Sequence, residues 1–317
     1  MSDRASYIIR RVLVTIPVLF VMSIVVFLMI RLVPGDPVQT MLGIYATPQR
    51  VATIRNELGF NRPLVDQYFT WLNGVLHGDL GQDFISHAPL THLLAQRLPV
   101  TLELTLLSML VALVLGIPLG VLAAVGPRWA VFLAELLVVG GVSIPSFWLG
   151  IMFVLLFTSV FHLLPPAGYE PISADFVGNM RYMVLPVLAL SIPQLVYILR
   201  TTKASMLAVL GSPYIKFLRA KGIAERRIIF LHGLRNASVP IVTVIGIQFG
   251  ALLGGSIIIE TLFAVPGVGQ LVVNAIFQRN YPVVQGCVLV IAVIFILVNL
   301  ITDLIYAWLD PRISSTS

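Results

Sequence analysis

Four acidic side chains, Glu103, Glu135, Glu260 and Asp303, fall in or beside long apolar stretches of this 317-residue chain. A carboxylate inside hydrocarbon marks a proton or ion pathway by default. Each of these four, however, falls within about two turns of an expected helix end, and no Asp, Glu or His relay crosses any stretch. A partner role at an interface or between helices is the plainer reading, so the energy for any transport must come from elsewhere. The histidines, His77, His87, His92, His162 and His232, lie mostly in expected loops. They make no His-Glu-x-x-His pattern and no metal-ligand spacing, although His87 and His92 share one loop. Paired polar residues at helix depth, which an intramembrane protease needs, are missing. We therefore expect no catalytic residue and no metal site. Cys287 is the only cysteine and sits in an apolar run, as a small buried hydrophobe does. Alone, it can form no disulfide within the chain.

The densest cluster of charge is basic. Arg200, Lys203, Lys216, Arg219, Lys221, Arg226, Arg227 and Arg235 fall in one connection. Within it, Ser212-Pro213 offers an N-cap followed by proline in the first turn. This predicts a helix over 214–221, ended by Gly222 in a left-handed conformation. A second helical stretch is expected over 224–231, leading through His232 back into the membrane at Ala237. Charge alone would suit an anchor for anionic lipid. The ordered capping signals, with Tyr214, Phe217 and Leu218, favour a shaped element that docks onto another protein.

The elements that must position this loop follow from composition. The chain is 58% hydrophobic and 11% charged, with mean hydropathy +0.97. A soluble domain normally carries about 25% charge, so lipid must be the solvent here. A span takes about 20 apolar residues, and six such segments are expected at 12–30, 104–126, 136–161, 183–199, 237–259 and 281–302. The first is too long for a signal-peptide core and lacks a cleavage site before Arg31, so it is expected to stay as a helix. Thirteen of the 20 Lys and Arg residues lie in one alternate set of connections, which places both termini in the cytoplasm. Segregation by loop also argues against nucleic acid as the partner of a chain with net charge +6.

The expected organisation is a cytoplasmic tail and first span over 1–31, and an extracytoplasmic loop over 32–98. A core of spans two to six follows over 99–309, with the basic connection at 207–236, and a cytoplasmic tail at 310–317. The 32–98 loop should hold short helices at 49–58, behind Thr47-Pro48 and stopped by Gly59, and at 63–77, with Leu64, Tyr68, Trp71, Leu72 and Val75 at helical spacing. Its aromatics suit a small cap, the membrane interface or a neighbouring subunit. No strong internal repeat is visible, against a carrier built on inverted repeats.

Two further features bear on transport. Gly246, Gly250 and Gly254 share one face of the fifth span and permit close helix packing. Pro118, Pro145, Pro186 and Pro193 interrupt spans two to four and free backbone carbonyls. Ser143, Pro145, Ser146 and Phe147, in the segment Gly141-Val-Ser-Ile-Pro-Ser-Phe147, are the first candidates to line a pathway. Gln194 and Gln248, in spans four and five, are the others.

The pattern Tyr214-x-x-x-x-Arg219-Ala220-Lys221-Gly222, followed by His232-x-Leu234-Arg235-Asn236, resembles the EAA loop of ABC-importer permeases. The version is that of the dipeptide, oligopeptide, nickel and glutathione permeases. Other stretches agree, Arg31-Leu-Val-Pro-Gly-Asp-Pro37, Gly78-Asp-Leu-Gly81, Leu98-Pro-Val-Thr-Leu-Glu103, Gly141-Val-Ser-Ile-Pro-Ser-Phe147, Pro266-Gly-Val-Gly269 and Asp310-Pro-Arg312, so the likeness runs in order along nearly the whole chain. It implies an all-α integral membrane protein with six transmembrane helices, the type I ABC-importer permease (MetI-like) fold, in a bacterial inner membrane. It implies four partners: a second homologous permease, two cytoplasmic ATPase subunits that bind ATP and Mg, and an extracytoplasmic substrate-binding protein. This chain itself has no phosphate-binding G-x-x-x-x-G-K-[ST] loop. The docking role is implied for Tyr214, Arg219, Ala220, Lys221, Gly222, His232, Leu234, Arg235 and Asn236. Short peptides are the implied cargo, with nickel chelates, glutathione or another small solute as alternatives. A stand-alone channel or carrier with a lipid-anchoring loop is the competing class. Where the generic loop begins Glu-Ala-Ala this chain has Lys216-Phe217-Leu218, so no acidic contact is implied. The peptide version usually keeps a small residue where Leu218 stands.

Overall fold

Apolar blocks of membrane-spanning length become helices because lipid offers backbone groups no hydrogen-bond partner. A computed structural model of the chain describes residues 3–31, 37–57 and 59–309. The interior of the Arg31–Pro37 stretch and the 310–317 tail, with Arg312, lie outside the described residues. The helices are α1 (Asp3–Arg31), α2 (Pro37–Leu42), α3 (Pro48–Glu57), α4 (Leu64–Leu76), α5 (Leu90–Val125), α6 (Arg128–Ser143), α7 (Ser146–Phe153), α8 (Phe176–Leu210), α9 (Pro213–Ala220), α10 (Glu225–Arg227), α11 (Leu234–Leu262), α12 (Val268–Phe277) and α13 (Tyr281–Leu309). Among the described residues five helical stretches are long and apolar enough to cross a membrane, and six when the bent pair α6–α7 counts as one.

Three spans differ from their expected form. The third is not one helix: α6 and α7 meet at a bend of 102°. Pro145 has no N–H to give, and it holds Ile144 in an extended conformation at φ −105°, ψ 121°. Beyond α7 the chain widens into a π-helical turn, Val154–Val160. The second span begins at Leu90 rather than beyond Pro99, because Pro99 is accommodated within a single 36-residue helix. The fourth begins at Phe176, where the Asp175 side chain caps the Val177 N–H, and runs to Leu210.

Two compact units divide the chain. One comprises residues 12–101 and 266–296. Here α4 lies along α1: Tyr68 bonds Ser23 at 2.7 Å, and Phe27 meets the rings of Tyr68 and Trp71 at 5.2 and 5.7 Å. Tyr68 and Trp71 of the 63–77 segment thus pack against α1, while Phe69 is 58% exposed. Thr47 caps α3 by accepting from Arg50 N, and Gly59 follows it at φ +68°. The apolar core joins Leu90 and Leu94 to Val268, Val272 and Ala275 of α12 and to Val283, Val284 and Cys287 of α13. Asn280, 2% exposed, bonds Asp83 at 2.6 Å and so ties the 79–89 loop to the start of α13. Burial would raise the Asp83 carboxyl, but hydrogen bonds from Ile85, Ser86 and Asn280 outweigh it and hold the group below its ordinary value.

The other unit comprises residues 1–11, 102–265 and 297–317. Its centre is α8, flanked by α6, α7 and α11. Close approach needs small residues: a Cβ on Gly120 would meet Thr202 Cβ at 2.5 Å, and one on Gly141 would meet Val196 at 2.6 Å. Glu103, Glu135 and Asp303, three of the acids flagged above, are engaged as follows. Glu103 accepts from Tyr169 at 2.9 Å and from Asn179 at 2.7 Å. Burial, then the Glu103 contact, push the Tyr169 hydroxyl up to about 12. Glu135 pairs with Lys203, and Asp303 with Arg11 at 2.9 Å. Glu260 is fully buried on α11.

Candidate functional site

The basic connection folds as two short helices rooted in an apolar floor. Ser212 accepts the Ile215 N–H and Pro213 opens α9. Lys221 and Gly222 close it, with Gly222 at φ +75° and its N–H on Arg219 O at 2.9 Å. The second stretch is not separate from the membrane helix, as the expected return at Ala237 had it. From Glu225 the chain runs through a π-helical turn, Ile228–Gly233, directly into α11.

Ile215, Leu218 and Ile228 are buried against Val121 of α5, Met206 and Leu210 of α8 and Ala237 and Ile241 of α11. Each such burial is worth about 1.5–3 kcal/mol, more than an exposed ion pair contributes. Apolar anchors therefore hold the loop to the helix ends. This also accounts for the large residue at 218: its side chain faces the floor, 8% exposed, and presents nothing outward.

The outer surface carries Tyr214, Lys216, Phe217, Lys221, Arg226, Arg227 and Arg235, all exposed. Lys221 Nζ lies 4.6 Å from the centre of the Phe217 ring. Tyr214 and His232 bond across the two stretches at 3.0 Å, and Asn236 donates to His232 O at 2.6 Å. Arg219 is exposed as well, but its guanidinium is engaged within the loop. It forks onto Glu225 at 2.6 and 3.1 Å and reaches Leu210 O at 3.4 Å. The hydrogen bonds with Glu225 raise Arg219 and lower Glu225 from their ordinary values. Arg219 is thus a brace between α8, α9 and α10. Glu225 was not among the candidates from sequence, though it is the sole acid in residues 200–236. Ala220 is exposed, and Leu234 is half-buried at the start of α11.

The candidate pathway residues separate into two places. Ser143, Pro145 and Phe147 are exposed at the α6–α7 bend, beside half-buried Ser146. Ser143 Oγ donates to Val139 O at 2.8 Å. Gln194 and Gln248 are buried and bond each other at 2.6 Å, joining α8 to α11. Of the three glycines, Gly246 makes a close approach: a Cβ there would fall 2.5 Å from Thr302. Gly250 is buried, and Gly254 faces open space.

Residues 116–315 match the family model described as binding-protein-dependent transport system inner membrane component, and residues 5–105 match the N-terminal model of the same membrane component. The chain belongs to this family, the permease component of ABC importers. It is 39% identical over 334 residues to the dipeptide transport system permease protein of Escherichia coli (strain K12), covering 97% of this chain and 98% of that one. To a probable peptide ABC transporter permease protein of Sinorhizobium fredii it is 41% identical over 313 residues, with the same coverage. Among solved structures, a chain of the inward-facing MetNI methionine ABC transporter superposes with a TM-score of 0.56 at 19% identity. That match covers 69% of this chain and 96% of the other, a likeness of fold.

Proposed function

We propose that this chain is one of two permeases in an ATP-driven importer of short peptides, and that the 213–233 loop receives the work of its ATPase partners. The peptide relatives, similar over 97% of the chain, support the cargo class. The observation that carries the coupling role is the rooting of α9 and of the turn after α10 in the ends of α5, α8 and α11 through Ile215, Leu218 and Ile228. Helices move as rigid bodies, so a displacement of the loop carries over to α8 and α11.

With both termini cytoplasmic, as the charge bias supports, the loop faces two ATPase subunits that bind ATP and Mg. Tyr214, Lys216, Phe217 and Lys221 would meet them, while Arg219 and Gly222 hold the shape. A second permease completes the pathway, and a substrate-binding protein delivers cargo on the outer side of the inner membrane. ATP binding would open the pathway outward, and hydrolysis would return it inward. The test is purification of the tagged chain from its own cells, followed by reconstitution into liposomes. ATPase subunits should co-purify, and a labelled dipeptide should enter only with ATP and binding protein. A chain purified without ATPase subunits that conducts solute unaided would overturn the reading in favour of a channel or carrier.

A further inference from the structure

We propose that a cavity between α3, α4 and the start of α13 binds a small zwitterion of the peptide class, its ammonium at Glu57 and Asp79 and its carboxylate at Arg62 and Gln285. The choice of ligand rests on the importer reading above. The cavity has a volume of about 290 Å3, at the lower end of ligand pockets. That is room for a dipeptide rather than a long chain. All of its lining falls in the compact unit of residues 12–101 and 266–296.

Its walls are built. Gly59 at φ +68° turns the chain out of α3, and Gly78 at φ +85° turns it out of α4, so the two turns bring Glu57, Arg62 and Asp79 to the lining. Gln67, 8% exposed, pins the α3–α4 connection by donating to Arg62 O at 2.7 Å and Phe60 O at 3.3 Å. Phe60, Trp71 and Tyr281 supply aromatic surface, which suits both an apolar side chain and an ammonium group.

Its polar groups are incompletely used. Among the described residues no hydrogen bond or ion pair engages the Glu57 carboxylate or the Arg62 guanidinium, and Asp79 accepts one bond, from Gly81 N at 2.9 Å. Gln285 is the sharper observation. It lines the cavity, is 7% exposed, and its Nε2 has no partner. A buried donor left so is costly, and an acceptor in the cavity that the side chain turns to meet removes that cost. Two acids, one base and an amide donor around aromatic walls match a molecule carrying both an ammonium and an anion. A peptide with free termini has both, and so does the headgroup of phosphatidylethanolamine.

The test uses the full chain in nanodiscs of phosphatidylcholine, which lacks a primary ammonium, with calorimetric titration of glycyl-leucine. Saturable binding is expected, weakened tenfold or more by Glu57→Gln, by Arg62→Gln, by Gln285→Leu and by N-acetylation of the dipeptide. Thermal unfolding of each variant checks that it is folded. Absence of saturable binding to the wild-type chain overturns the proposal, as does undiminished binding by all three variants. Binding of phosphoethanolamine in place of glycyl-leucine overturns it in favour of a lipid headgroup. ATP-driven peptide uptake by the assembled importer is measured in parallel. Uptake without binding here refutes the cavity alone, whereas absent uptake refutes the importer reading and leaves the binding result standing.

Discussion

At Gly222 the backbone takes φ +75°, which a residue with a Cβ adopts at a cost of roughly 1–2 kcal/mol and which proline cannot reach. Nothing lies within 4 Å of a Cβ built there, so the cost is one of conformation and not of space. Gly222→Ala should therefore leave uptake close to wild type. Gly222→Pro should abolish it while the chain still inserts, as read by uptake beside membrane content. Asp83 gives a test in pH. Its folded carboxyl titrates below its ordinary value of about 3.9, so its stabilisation of the 79–89 loop is complete above that value. It is lost as pH falls through the lower, folded value. Limited proteolysis of the loop should be unchanged between pH 8 and about 5 and should accelerate below about 4, and Asp83→Asn should flatten the dependence. The capping of α9 by Ser212-Pro213 and the stop at Gly222 were legible in the sequence because both are local backbone chemistry. The Arg219–Glu225 brace and the Tyr214–His232 bond were not, because each depends on how the chain turns between its two partners.

Among elements, the spans were legible wherever hydropathy alone decides them. Helix ends and breaks were less so. The 102° bend between α6 and α7 sits at a proline that the sequence did display. Yet Pro99, Pro118, Pro186 and Pro193 all lie within continuous helix, so proline by itself does not tell a break from a tolerated kink. Helix α12 was missed, although Val268, Val272 and Ala275 recur at helical spacing after Pro266-Gly267 and are buried. At ten residues it falls below the length that marks a span. The glycine face of α11 was legible as a packing face, but not where along it a neighbour comes close. The structure puts that contact at Gly246 and Thr302. Gly246→Val should lower the thermal midpoint of the purified protein through about 1–3 kcal/mol of overpacking. Thr302→Ala should restore part of the loss, and purely additive effects in the double variant would contradict the contact.

For the whole molecule, the central matter is where transport energy enters. Glu103 is held by Tyr169 and Asn179, Glu135 by Lys203 and Asp303 by Arg11, partners that suit structure. The basic loop, by contrast, joins an exposed aromatic and cationic surface to an apolar floor shared with three spans. That arrangement suits the proposed lever, driven from outside the membrane. Arg219 is its most telling residue, since its guanidinium ties α9 to Glu225 and to the end of α8. The measurement that tests this account most directly is dipeptide uptake per ATP hydrolysed, in liposomes holding the assembled importer with wild-type or Arg219→Glu permease. The account predicts that the variant inserts, keeps its ATPase subunits and hydrolyses ATP, but loses at least tenfold in uptake per ATP. An unchanged ratio would show that the loop does not carry the coupling.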